Sequence, residues 1–260
     1  MIIETTLFGH IDKVSEAINI LREHEPDKGY YVADSGGKDS CVILALVKMA
    51  GVKHDAHHNF TTIDFPEVVY FIKREHPKTI IEYPKTPFLK NLVKNGYPRR
   101  QSRWCCRIYK ERGGKNRFVI TGVRGDESPK RKKRGKIEYG REKGKNFLHI
   151  IHGWSDIEVW EFIHKFNIPY PELYDRGFKR VGCMFCPFSG RKTRLLTAEK
   201  YPKHVKIWIH AFERLYQDRK DRGLHSVDRW ASGEAMFWSW LKETKGQDLE
   251  TIDMFKGDQL

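Results

Sequence analysis

The stretch YYVADSGGKDSCVILALV, from Tyr30 to Val47, decides the fold. A β-rich run, YYVAD, stops at a small polar turn, and the apolar run CVILALV follows at once. That order predicts a buried strand, a tight loop and a buried helix. A loop joining a parallel strand to a helix lies at the carboxyl edge of its sheet, where such folds bind ligands. Gly36 and Gly37 lack a Cβ, so the backbone can turn sharply there and approach a ligand closely. The first N–H groups of the helix have no helical acceptor, and with the helix dipole they favour an anion such as phosphate. Lys38 adds a full positive charge, and Ser35 and Ser40 add hydroxyl donors. Charge-assisted bonds of this kind contribute about 1.5–3 kcal/mol each. Asp39 does not suit a pure anion site; a carboxylate beside phosphates implies Mg²⁺, which takes oxygen ligands. The spacing is not the G-x-x-x-x-G-K-S/T of a Walker A loop.

Outward from this loop, strand and helix patterns alternate. Residues from about His10 to Glu25 carry Val14, Ala17, Ile18 and Leu21 at helical spacing, ended by Pro26 and Gly29. VKHDAHHNF reads as a second strand, DFPEVVYFIKRE as a helix, TIIEY as a third strand and TPFLKNLVKNG as a helix. RFVITGV reads as a further strand leaving a loop at Gly122. The polar stretch from Gly125 to Asn146 reads as a mobile loop, FLHIIHGW as a short extended segment, and SDIEVWEFIHKFN as a helix capped by Ser155. Such alternation predicts βαβ units: an α/β doubly wound, mostly parallel sheet. After Pro187 the pattern is helical, with Trp208, Phe212, Leu215, Trp230, Phe237, Trp238 and Trp240 expected as core. The expected division is a helical segment over 1–28, a nucleotide-binding domain over 29–190 and a small helical C-terminal lobe over 191–260.

Composition bounds the class. The 260 residues are 39% hydrophobic, enough for a packed core. The longest clean apolar run is too short to span a bilayer, and the start lacks a basic region leading into an apolar one. A cytoplasmic protein with no membrane partner is expected. Five cysteines are too few for a disulfide scaffold and point to metal or redox chemistry. The formal net charge of +14 attracts polyanions such as nucleotides, tRNA or DNA.

SGGKDS resembles the pyrophosphatase (PP) loop of the ATP-pyrophosphatase and phosphoadenylyl-sulfate (PAPS) reductase superfamily, whose fold is adenine nucleotide alpha-hydrolase-like. TTIDFPEVVYF is similar to the family's Asp-Thr-Gly…Phe-Pro-Glu-Thr segment. TGVRGDESPKR resembles its Gly-x-Arg-x-x-x-Ser-x-x-Arg stretch, and WSDIEVWEFIHKFNIPYPELYDRGFKRVGC its Trp-(Ser/Thr)-x-x-x-Val-Trp helix and Leu-Tyr-Asp-x-Gly turn. The likeness runs from Tyr30 to Pro187. It implies that Ser35, Gly36, Gly37, Lys38, Asp39 and Ser40 hold the phosphates of an adenine nucleotide, ATP or a sulfonucleotide. It further implies that Arg124, Ser128 and Arg131 hold a terminal phosphate or sulfate, and that Thr61, Thr62 and Asp64 lie near the nucleotide. Thr62 departs from the pattern, which often has glycine nearby. Lys38, Asp39 and Arg124 are the catalytic candidates, with Asp39 on Mg²⁺.

WCC supplies Cys105 and Cys106, and GCMFCP supplies Cys183 and Cys186. Four thiolates suit tetrahedral zinc or an iron–sulfur cluster. Adjacent cysteines diverge, which a cluster with several irons tolerates better than one zinc. The layout also resembles the 4Fe–4S site of the assimilatory adenylyl-sulfate reductase branch. Cys41 is expected in the core.

Reductases of this family end in a Glu-Cys-Gly-Leu-His-like segment whose cysteine attacks sulfur. This chain reads DRGLH, with Arg222 at that position, and no cysteine follows Cys186. A thiolate nucleophile is what that chemistry requires. The resemblance therefore implies, first, a sulfur-transfer enzyme that uses ATP and releases pyrophosphate. Its acceptor would be a nucleic acid held by the basic run Lys130–Lys136, its sulfur coming from a cysteine desulfurase or another donor. The second reading is PAPS or adenylyl-sulfate reduction releasing sulfite, and the third a nucleotide-binding regulatory subunit.

Overall fold

The computed structural model describes residues 2–6, 9–141 and 144–243. In chain order its elements are β1 (Ile3–Thr6), β2 (Gly9–Asp12), α1 (Lys13–Glu23), β3 (Tyr30–Ala33), α2 (Lys38–Ala50), β4 (His54–Asn59), α3 (Pro66–Glu75) and β5 (Ile80–Glu82). There follow α4 (Phe88–Asn95), β6 (Phe118–Ile120), α5 (Pro129–Lys132), β7 (Ile137–Arg141), β8 (Lys145–Leu148), α6 (Asp156–Lys165), α7 (Arg191–Lys200), α8 (Pro202–Asp221) and α9 (Gly233–Lys242). They fall into two compact units. One comprises Met1–Lys85 with Cys106–Gly182, the other Thr86–Cys105 with Cys183–Leu260.

The first unit is the α/β body. Its six strands run in the order β5-β4-β3-β6-β8-β7, parallel except for β7. β3 is central, and its Tyr30, Tyr31 and Val32 are all buried, as a parallel strand covered on both faces requires. The chain winds outward through β4 to β5, then returns to β6 on the other side of β3. That reversal opens a crevice between the carboxyl ends of β3 and β6. α2 buries Cys41, Val42, Ile43, Leu44, Leu46 and Val47, and ends at Gly51, whose φ of 71° suits a residue without Cβ. α6 starts with a capping box: Glu158 N–H donates to Ser155 Oγ at 3.2 Å, and Ser155 N–H to Glu158 Oε2 at 2.6 Å.

Two sequence expectations are corrected. The stretch read as a mobile loop, Gly125–Asn146, holds a 3₁₀ turn, α5 and the pair β7–β8. Its strand is an edge strand, and edge strands carry charge and polarity that hide the alternation on which sequence reading depends. Ile137 packs on the core while Glu138 lies buried, its carboxylate 3.5 Å from His149. The first helix is shorter than its periodicity suggests. Residues 9–12 pair with 3–6 as a hairpin, and the Asp12 carboxylate caps α1 by accepting from Val14 N–H at 3.2 Å.

The second unit is helical. Its core gathers Phe88 and Leu92 of α4, Trp104 and Phe185, Trp208, Phe212 and Leu215 of α8, and Met236, Phe237 and Trp240 of α9. Trp208 and Trp240 stack at 5.4 Å, and Trp240 Nε1 donates to the Pro98 carbonyl at 2.8 Å. The aromatic residues expected as core are buried here, except Trp230 and Trp238, which are half-buried. α9 begins against the backbone of α8. Gly233 N–H donates to the Glu213 carboxylate at 2.9 Å, and a Cβ on Gly233 would lie 2.3 Å from Glu213 Cα. Gly233→Ala should therefore cost about 1–3 kcal/mol by overpacking. Urea unfolding followed by tryptophan fluorescence checks this, and an unchanged midpoint would refute the close approach.

Candidate functional site

β3 delivers Asp34 to the base of the loop. This carboxylate is 2% exposed and accepts from Gly36 N–H at 2.9 Å, His76 Nδ1 at 2.7 Å and Thr79 Oγ1 at 2.9 Å. Ser40 Oγ lies 3.3 Å from it and donates to the Gly37 carbonyl at 2.7 Å. Burial disfavours the charge of Asp34, but hydrogen bonding and the nearby His76 outweigh burial and hold its carboxyl below the ordinary value. Gly36 takes φ 69°, and a Cβ there would meet Val68 at 2.6 Å. The loop thus turns tightly into α2, whose first N–H groups at Asp39 and Ser40 precede the first helical bond, Cys41 N–H to Gly37 O at 3.0 Å. Lys38 N–H instead meets the Tyr174 hydroxyl at 3.0 Å, and burial pushes that phenol up.

Two cations and two carboxylates meet at the helix start. Lys38 is 4% exposed, and its Nζ lies 3.1 Å from Asp39 Oδ2 and 2.8 Å from Asp156 Oδ1. Arg124 is equally buried; its Nε donates to Asp39 Oδ1 at 2.6 Å, its Nη2 to Asp156 Oδ1 at 2.8 Å and its Nη1 to the Trp154 carbonyl at 3.3 Å. Burial works against the Asp156 charge, yet Lys38 and Arg124 overcome it and keep its carboxyl below the usual range. Gly122 makes the juxtaposition possible: a Cβ on it would lie 2.9 Å from Asp39 Cβ. Burying two cations this deeply is tolerable because each has carboxylate partners. An anion entering here would exchange for those carboxylates.

The quartet lines a cleft of about 600 Å³, a volume suited to a nucleotide. Ser35, Gly37, Ser40, Asp64 and Arg131 also line it, so β3, α2, β4 and the turn after β6 converge on one cavity. Thr61 is buried and donates to Asp64 through its N–H at 2.7 Å and its hydroxyl at 2.8 Å. Thr62 has φ 66°, the left-handed region that favours glycine. Ser128 is the N-cap of α5, its Oγ accepting from Arg131 N–H at 3.3 Å. Gly36, Thr61, Thr62 and Ser128 are not among the lining residues.

Sequence reasoning missed several lining residues. Asp156 reads in sequence only as an acidic helix start, and Tyr174 as part of a turn. His58 and Asn59 belong to β4 and look like ordinary strand residues. His58 Nδ1 meets the Asp34 carbonyl at 2.9 Å, while among the described residues its buried Nε2 and the buried Asn59 Oδ1 have no hydrogen-bond partner. Lys110, Lys179 and Arg180 add positive charge to the wall.

Cys41 is buried, and burial pushes its thiol well up, so it is a core residue. Cys105, Cys106, Cys183 and Cys186 are half-buried. Their donor chemistry suits iron or zinc. Among the described residues, however, no three His, Cys, Asp or Glu side chains gather to hold a metal ion. The same holds for Mg²⁺ at Asp39, whose two oxygens are engaged by Lys38 and Arg124.

The sequence profile of the phosphoadenosine phosphosulfate reductase domain matches residues 29–189. The chain belongs to this family. Two uncharacterized proteins of Methanocaldococcus jannaschii are 30% identical to it over 210 and 211 residues, covering 75% of this chain and 50% and 44% of theirs. An adenosine 5'-phosphosulfate reductase of Allochromatium vinosum is 28% identical over 155 residues, covering 58% of this chain and 55% of its own. The chain thus spans about half the length of the curated relatives it matches. A crystal structure of phosphoadenylyl-sulfate reductase from Candida auris aligns at TM-score 0.52 and 19% identity, covering 68% of this chain and 90% of that one. The shared fold is adenine nucleotide alpha-hydrolase-like, a nucleotide-binding fold. No helix among the described residues is long and apolar enough to cross a membrane.

In this family member Asp34 holds the loop in shape. Asp34→Asn should cost about 3 kcal/mol at neutral pH, since it breaks a buried charged network. The folded carboxyl titrates below its unfolded value, so its contribution is full above about pH 4 and lost as pH falls through the lowered value. Urea midpoints at pH 7 and pH 3 check this: the gap between wild type and variant should narrow in acid, and an equal gap at both would refute it.

Proposed function

We propose that this chain is an ATP-pyrophosphatase-type sulfurtransferase acting on a nucleic acid. The observation that carries the reading is the Lys38–Asp39–Arg124–Asp156 quartet at the open N-terminus of α2, on the wall of a nucleotide-sized cleft. In this reading an acceptor oxygen attacks the α-phosphorus of ATP, the bond to the β-phosphate breaks, and pyrophosphate leaves with the electron pair. Lys38, Arg124 and the N–H groups of Asp39 and Ser40 take up the developing charge. A sulfur nucleophile then attacks the activated carbon, and AMP departs. Thr61 positions Asp64, and Ser40 shapes the loop from below. Ser128 sets α5, which carries Arg131 to the cleft wall. Thr62 serves through its backbone turn beside Asp64.

Support for a polymeric acceptor comes from the run after Arg124. Lys130, Lys132, Lys133 and Arg134 are exposed and form no ion pair among the described residues, while Arg131 pairs with Glu127 and Lys136 with Glu16. Unpaired exposed cations near a phosphate site suit a tRNA or DNA backbone. The sulfur would come from a cysteine desulfurase or another donor.

The second reading is a sulfonucleotide reductase, favoured by relatives that carry that name. Against it stands Arg222 where a nucleophilic cysteine would be needed; it lies exposed at the end of α8, beside Asp218 at 3.4 Å. The deciding experiment incubates anaerobically purified protein with ATP·Mg, total tRNA and sulfide, and separately with adenylyl sulfate or PAPS and a thiol. Pyrophosphate and AMP in equal amounts, dependent on tRNA, are expected, with Lys38→Ala slower by about 10²–10³-fold. Sulfite release from a sulfonucleotide without pyrophosphate would replace this reading by the second. Nucleotide binding with neither product would leave the regulatory subunit.

An iron–sulfur cluster on Cys105, Cys106, Cys183 and Cys186 belongs to this proposal on the sequence layout alone, and no step above is routed through it. Protein prepared without oxygen should be brown and carry about four irons per chain. Cys106→Ser should lower the iron content. One tightly bound zinc in a colourless protein would overturn the cluster.

A further inference from the structure

Three neighbouring strands bring a second polar chain to the cleft. Thr121 follows β6 and lines the cavity; its N–H donates to the Leu148 carbonyl at 3.2 Å, so the pairing with β8 runs one residue past the strand. His149 follows β8, fully buried, and its N–H donates to the Lys136 carbonyl at 2.8 Å. Glu138 on β7 is also buried. Across these strands Thr121 Oγ1 lies 2.7 Å from His149 Nδ1, and His149 Nε2 lies 3.5 Å from Glu138 Oε2.

The tautomer follows from the donor inventory. An ionised Glu138 only accepts, so Nε2 carries the ring proton. Nδ1 is then bare and accepts the Thr121 hydroxyl proton. This is the order of an activated hydroxyl: oxygen, base, and a third group that orients the base. Thr121 sits beside Gly122, which presses against Asp39 at the start of α2, so the chain ends next to the phosphate-binding loop. Nothing in the quartet uses it.

We propose that Thr121, His149 and Glu138 form a proton relay in which the Thr121 hydroxyl receives the proton of the attacking acceptor group while passing its own to His149. The inference rests on the adenylylation reading above and adds the base that the reading lacks. The proton count closes. The acceptor's proton goes to Thr121 Oγ, and the Thr121 proton goes to His149 Nδ1, giving an imidazolium balanced by Glu138. The freed acceptor oxygen forms the bond to phosphorus, and the electron pair of the broken P–O bond leaves with pyrophosphate. The imidazolium returns its proton to water after the products depart. Thr121 is the catalytic residue; His149 and Glu138 are positioning residues that act through it.

The environment keeps the ring ready. Burial pushes the His149 pKa down, against the pull of Glu138, while Arg134 and His152 push it the same way as burial. Among the described residues, Glu138, Arg134 and His152 are the charged or titratable groups that act on it most strongly. The ring is therefore neutral at neutral pH and able to accept a proton. A rate that depends on it should fall as pH drops through the lowered pKa.

The test has two arms. In the first, pyrophosphate release from ATP·Mg with total tRNA and sulfide is followed across pH for wild type, Thr121→Val, Thr121→Ser and His149→Gln. Thr121→Val should lose about 100-fold in turnover, the scale of general-base catalysis. Its ATP affinity should stay within about threefold, since the hydroxyl acts in the transition state only. Thr121→Ser, which keeps the hydroxyl, should recover most of the rate, and His149→Gln should lose the acidic limb of the profile. Full turnover by Thr121→Val, or an unchanged limb in His149→Gln, would overturn the relay.

The second arm needs no turnover. ¹H–¹⁵N correlation of the histidine rings, with His149 assigned by its loss in His149→Gln, should show a neutral ring protonated on Nε2. A proton on Nδ1 would overturn the relay, because Thr121 could then only accept. If wild type releases no pyrophosphate with tRNA, the adenylylation reading fails and the relay's role falls with it; pyrophosphate release that persists at full rate in Thr121→Val overturns the relay alone.

Discussion

The buried carboxylate of Asp34 is the constraint on which the cleft depends. It sits at the end of the central strand, and its two oxygens accept from the loop (Gly36 N–H), from the end of α3 (His76) and from the residue before β5 (Thr79), with Ser40 Oγ of α2 at 3.3 Å. One side chain thereby fixes the turn of the loop, the start of α2 and the outer βα unit relative to β3. Burying a charge here is tolerable only because every donor is in place; with one missing, the desolvation cost is no longer offset. The loop is rigid for the same reason. Gly36 is wedged against Val68 and Ile72, and Ser40 closes back on the Gly37 carbonyl.

Rigidity below the loop allows electrostatic balance above it. The chain as a whole is strongly basic, at +14, yet the group at the helix start is two cations against two carboxylates. Part of the excess charge lies elsewhere, on the exposed Lys130, Lys132, Lys133 and Arg134, which form no ion pair among the described residues. Such a division separates two arrangements: the balanced quartet holds Lys38 and Arg124 in place by ion pairs, and in the proposed function the exposed run would supply long-range attraction to a polyanion. The relay after β6 is a third element on the same wall. It is assembled by strand pairing rather than by the loop, so its geometry depends on the β6–β8–β7 register.

Much of this was legible in the residues themselves. YYVADSGGKDSCVILALV fixes a buried strand, a tight loop and a buried helix, because apolar continuity and two adjacent glycines admit few other arrangements. The order of alternating strands and helices determines a parallel sheet with its ligand edge at the loop. Thr62, where the sequence departs from a pattern that often has glycine nearby, takes the left-handed φ of 66° that glycine favours. Most of the aromatic residues expected as core after Pro187 are buried, as their number and helical spacing implied, with Trp230 and Trp238 only half-buried.

What the sequence left undecided are pairings between residues far apart in the chain. Periodicity reports which face of an element is apolar, and charge reports what an isolated side chain prefers; neither states who meets whom. Asp156 looks like a helix-dipole acid until the fold sets it 2.8 Å from Lys38 and Arg124, which lie 118 and 32 residues earlier. Thr121, His149 and Glu138 carry no motif, and the strand that holds Glu138 hides its alternation among charged residues. The linear chain thus determined the class of fold and the place of the glycine loop at the carboxyl edge of the sheet. Tertiary pairing alone decided which carboxylates restrain its cations and which hydroxyl stands against a base, because those contacts are made across strands and between loops that only folding brings together.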